Sequence, residues 1–110
     1  MRHVEAIFSA AAVATILASS STFAQEGDRT EGLALARRIC SQCHTVDRSP
    51  APSPNPASPR FEVIAKVPGM TAAALSVALL TPHRTMPNVM LSPPELRNIV
   101  AHILSLQQPN

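Results

Sequence analysis

The two cysteines of the chain stand together with a histidine, as Cys40-Ser41-Gln42-Cys43-His44. The pattern is C-x-x-C-H, the spacing for covalent attachment of a c-type haem. Two thiols one helical turn apart can each form a thioether to a vinyl group of one porphyrin, and the adjoining imidazole then faces the iron as its proximal ligand. Two other chemistries use similar residues. A dithiol redox site of the thioredoxin kind wants a strand before the motif and a sheet around it, whereas the flanking residues here are helical in pattern. A structural zinc site needs four ligands, and His83 and His102 lack the paired spacing that would complete Cys40, Cys43 and His44.

A haem iron with a proximal histidine has a second axial position, and a thioether is a soft ligand suited to it. The loop from Pro82 to Leu91 carries the candidates, His83, Met86 and Met90. Met86 is followed by Pro87, which stiffens its approach, and has polar neighbours, so it reads as the distal ligand. His83 is the rival ligand and otherwise a surface loop histidine. Met70 and Met90 read as adaptable core filling.

The chain has 110 residues, room for one domain, with 11 Pro, 3 Phe and neither Trp nor Tyr. Residues 1–24 read as a cleaved signal peptide: Arg2, an apolar run from Ala6 to Ala18, then small residues closing on Thr22-Phe23-Ala24. That run is shorter than the roughly 18–20 residues of a membrane span. The mature domain, 25–110, keeps Phe61 as its one aromatic and looks as if part of its core is missing. A flat apolar porphyrin would supply it, since small domains commonly lean on a cofactor. Net charge is +2, with a single lysine, Lys66, and no dense basic stripe. Nucleic acid is therefore not an expected partner.

The elements that must position these groups read as helices throughout, three to four of them and short. Asp28 with Glu31 fits a helix cap, and Leu33, Ala36 and Cys40 recur on one face with Leu35 and Ile39 beside it. Residues 49–59 hold Pro50, Pro52, Pro54, Pro56 and Pro59, which favour an extended course. That segment is either a linker or a wall over the proximal side of the haem. A short helix over Phe61–Val67 ends at Pro68-Gly69, and another starts near Thr71 and stops before Pro82. Ser92-Pro93-Pro94-Glu95 combines a capping box with proline at the first helical position, and Leu96, Ile99, Val100, Ile103 and Leu106 follow at helical spacing.

Gly32 two turns before Cys40, the Cys40–His44 motif, the late Met86-Pro87 and a C-terminal helix together resemble class I cytochrome c, in its small bacterial mono-haem form. The resemblance covers nearly all of the mature chain. It implies an all-α cytochrome c fold around one covalently attached haem c, with Cys40 and Cys43 as thioethers, His44 proximal and Met86 distal. It implies a periplasmic one-electron carrier, not an enzyme, a monomer meeting a dehydrogenase, oxidase or reductase by transient contact. The alternative is a haem subunit of a periplasmic dehydrogenase or oxidase complex. The family's first and last helices cross at the residue matching Gly32, and a proline after the motif orients the proximal histidine. Which proline does so here is left open by the departing loop. The family's paired aromatics are also replaced, by Ala36 and His102, so either the helix contact is weaker or His102 fills it.

Overall fold

Three of the four helices begin where a side chain satisfies amide groups that the first turn leaves without partners. In the computed structural model, which describes residues 26–109, four helices succeed one another: α1 (Arg29–Ile39), α2 (Phe61–Ala65), α3 (Ala72–Leu80) and α4 (Pro93–Ser105). Among the described residues there is no strand, only an isolated bridge between His83 and Met86. Asp28 caps α1, accepting from the amides of Thr30 and Glu31. Thr71 caps α3, and Ser92 and Glu95 close the expected capping box on α4. The short helix ends at Ala65, two residues before the expected Val67. The signal-peptide segment 1–24 lies outside the described residues. No helix among the described residues is long and apolar enough to cross a membrane.

The helices meet because α1 and α4 each carry one apolar face. Gly32, Leu35 and Ala36 of α1 are buried with Ile99, Val100, His102 and Ile103 of α4. Phe61, Ala65, Leu75 and Leu106 close the same core. At the crossing the backbones all but touch. A Cβ on Gly32 would collide with the Asn98 carbonyl and stand 2.9 Å from His102 Cβ; one on Gly27 would strike the Arg97 carbonyl. Asn98 Oδ1 also accepts from the Asp28 amide at 2.8 Å, fixing the start of α1 on α4.

Ile39, read as lying beside the apolar face of α1, is 42% exposed. On α3 only Leu75 is buried; Val77 and Leu80 are 65% and 63% exposed. One sequence expectation needs correcting: Met90, expected in the core, is 91% exposed near the end of the Pro82–Leu91 loop, whereas Met70 does pack on the core.

Candidate haem site

Where α1 stops, its last turn continues as a single tight turn. Cys40 caps α1 through its amide to the Ala36 carbonyl. The amides of Cys43 and His44 both return to the Cys40 carbonyl, at 3.1 and 2.9 Å. Cys40, Cys43 and His44 are thereby gathered on one turn, as the spacing requires. Both cysteines are free thiols, Cys40 buried and Cys43 half-buried. Burial pushes the Cys40 thiol up to about 11. That is the opposite of the depressed pKa that makes a redox-active thiolate. Beyond this turn, no further His, Cys, Asp or Glu side chain among the described residues is grouped with these three as a fourth ligand.

His44 Nδ1 lies 2.6 Å from the Pro59 carbonyl oxygen. A carbonyl only accepts, so Nδ1 carries the proton and Nε2 presents its lone pair, the arrangement by which outer partners orient metal-binding imidazoles. This answers which of the five prolines faces the histidine. The sequence could not, because the choice depends on how the loop travels. Residues 49–59 form a wall rather than a free linker, bonded back onto the motif. The Asn55 amide donates to the Cys43 carbonyl at 3.2 Å, and the Phe61 amide to the Thr45 carbonyl at 2.9 Å. Ser53 Oγ accepts from the Thr45 amide, and Thr45 Oγ1 donates to the Ala51 carbonyl.

Phe61 stands between the two histidines of the interior. Its ring centroid is 5.3 Å from that of His44 and 6.3 Å from that of His102. His102, only 5% exposed, fills the helix contact from which the family's aromatic pair is missing. Its Nε2 donates to the Val46 carbonyl at 2.6 Å, so α4 also holds the segment that follows His44. Burial lowers the His102 pKa, against the opposing pull of the Val46 bond. It is therefore neutral near pH 7. No sequence signal pointed to this bond, whose partners are far apart in the chain.

The other candidates sit in the loop between α3 and α4. The Met86 amide donates to the His83 carbonyl at 3.3 Å, giving the loop one internal fastening. Met86 is half-buried and His83 exposed. Both line a cleft of about 280 Å³ with Leu79, Leu80, Met90 and Leu91. Leu79 and Leu91 of this cleft, and likewise Ile64 and Met70, pack on the core and are partly buried. The residues thus fit a flat apolar group with an iron: paired free thiols, an imidazole with its Nε2 lone pair available, a thioether, and apolar side chains short of cover.

The chain matches no family model and no solved structure. It is 37% identical to cytochrome c-552 of Bradyrhizobium diazoefficiens over 91 residues, 83% of this chain and 86% of that protein. On that likeness and its all-helical fold, the chain belongs to the small class I cytochromes c, electron-transfer proteins that carry a covalently bound haem c with its iron.

Proposed function

We propose that this cytochrome is a periplasmic one-electron carrier, monomeric, whose haem is fixed by thioethers to Cys40 and Cys43 and whose iron is held between His44 and Met86. The bound haem supplies a ferric/ferrous couple. The observation that carries the reading is the 2.6 Å approach of His44 Nδ1 to the Pro59 carbonyl. It commits one ring nitrogen to the protein and leaves the other free to ligate. The Pro59 carbonyl adds electron density to the imidazole, which favours the ferric state, while a thioether on the other side draws the potential upward. A filled sixth position leaves no open coordination site for oxygen or peroxide chemistry.

The N-terminal segment 1–24 directs export and is then removed. With a formal charge of only +2, docking does not depend on strong long-range attraction. Contacts with redox partners are brief and small in area, as electron-transfer encounters are. Carbon monoxide tests the ligand set. The ferrous wild-type protein should not bind it at neutral pH, whereas Met86→Ala should, with a lowered potential, and Met90→Leu should behave as wild type. Because His83 lines the same cleft, Met86→Ala is read beside the double variant with His83→Ala. Carbon monoxide binding by the wild-type protein would contradict saturated iron, and the reverse pattern of variants would move ligation to Met90.

A further inference from the structure

Arg60 occupies the N-cap of α2 with extended backbone (φ −63°, ψ 145°), yet its side chain makes no capping bond. Serine, threonine, aspartate or asparagine serve that position by accepting from the first amides, and arginine cannot accept. Its guanidinium turns back along the chain instead. Nη2 donates to the Ser49 carbonyl at 2.5 Å and to Glu62 Oε2 at 2.9 Å. Glu62 is itself held by Lys66 Nζ at 2.7 Å. Nε of Arg60 is buried without a partner, so the side chain is not there to satisfy its own donors. What it does is join the first residue of the proline-rich wall to the residues that follow its end.

The next peptide unit explains what that closure holds. The carbonyl that faces His44 belongs to Pro59, and its direction is set by the peptide plane shared by Pro59 and Arg60. On the far side of Arg60, the Phe61 amide is pinned to the Thr45 carbonyl. Arg60 is therefore held through its side chain at Ser49 and Glu62, and through the following amide at Thr45. The intervening loop contributes few amide donors of its own, because Pro50, Pro52, Pro54, Pro56 and Pro59 have none.

We propose that Arg60 is a positioning residue for the iron: by clamping Ser49 and Glu62 it fixes the peptide plane that aims the Pro59 carbonyl at His44 Nδ1, and so sets how strongly His44 donates to the metal. This rests on His44 being the proximal ligand. Freed of the clamp, the carbonyl wanders, the Nδ1–H bond weakens, and the imidazole becomes a poorer donor to ferric iron. The potential then rises.

The test uses the haem-loaded protein, with histidine labelled by nitrogen-15, and compares Arg60→Met, Arg60→Lys and Glu62→Gln. Hyperfine-shifted signals of the His44 ring in the wild-type ferric protein establish ligation. Their absence would overturn the ligand assignment rather than the role of Arg60. In Arg60→Met the Nδ1 proton should exchange with water on the order of tenfold faster, since the local opening that exposes it becomes easier, and the potential should move upward. Arg60→Lys, which keeps a cationic donor, should recover part of both effects. Glu62→Gln, which retains the Ser49 bond, should give a smaller change of the same sign and serves if Arg60→Met does not fold. Asp28→Ala, a cap lesion remote from the loop, should lower thermal stability and leave exchange and potential unchanged. Unchanged exchange and potential in the Arg60 and Glu62 variants, with only stability reduced, would overturn the proposal.

Discussion

Replacing Gly32 by alanine puts one methyl group into the close approach of α1 and α4. The added carbon would overlap the Asn98 carbonyl oxygen, stand 2.5 Å from its carbon and lie 2.9 Å from His102 Cβ, where ordinary contact is 3.4–4 Å. Two of these atoms are backbone of α4 and cannot rotate aside. Because the interior is close-packed, α1 and α4 must part by on the order of 1 Å along the whole stripe that holds Leu35, Ala36, Ile99 and Ile103. Overpacking of this kind costs about 3 kcal/mol at the upper end of its range, while the better helix propensity of alanine returns about 1 kcal/mol, for a net loss of about 2 kcal/mol. In a domain of this size that loss lowers Tm by roughly 8–16 °C. Thermal unfolding of the haem-loaded protein, followed by far-ultraviolet circular dichroism, reads it directly. Ala34→Gly, on the exposed side of the same helix, should cost only about 1 kcal/mol. A Gly32→Ala protein as stable as wild type would refute the close approach of the two helices.

Other outcomes follow from the same contacts. The Cys40→Ala, Cys43→Ala double variant, made without haem, should show no cooperative thermal transition, because Phe61 alone cannot fill the centre; a transition like that of the haem-loaded protein would contradict the missing-core argument. Burial holds the folded-state pKa of His102 below that of a free imidazole, with Arg37 and Arg48 adding to the shift and Val46 and Asp47 opposing it. Below about pH 6.5 the unfolded chain therefore binds more protons at this site than the folded one, so its contribution to stability is full above that pH and is lost as pH falls. In His102→Gln, which keeps a donor for Val46, the denaturation midpoint should fall less steeply than in wild type between pH 7 and pH 5, that is, on either side of about 6.5. Parallel pH profiles would count against a buried neutral histidine.

What the sequence disclosed is what local chemistry decides. A capping box needs Ser92 and Glu95 within one turn, and a haem attachment site needs Cys40, Cys43 and His44 within another, so both are written in short stretches of chain. The apolar stripe of α4 is legible for the same reason. Features that join distant segments were not. Five prolines were equivalent candidates for orienting His44 until the path of the 49–59 wall singled out Pro59. The bond from His102 to Val46 spans two elements, and nothing about a histidine among apolar neighbours names its acceptor. Gly27 lies outside any helix, and its closeness to Arg97 follows only from the crossing of α1 on α4. Met90 misled because a methionine beside a leucine looks like core, whereas the loop carries it outward.

The attachment of the haem to this one turn of chain is the claim on which the rest stands, and it can be read from a single peptide. Protein made in a host that matures c-type cytochromes would be precipitated with acidified acetone, which removes haem that is not covalently bound, and then digested with trypsin. Cleavage after Arg38 and Arg48 releases the segment containing Cys40, Cys43 and His44. The account predicts that this peptide alone keeps the Soret absorbance and carries the mass of one haem, with no thiol left to alkylate. A colourless peptide with two alkylatable cysteines would contradict it.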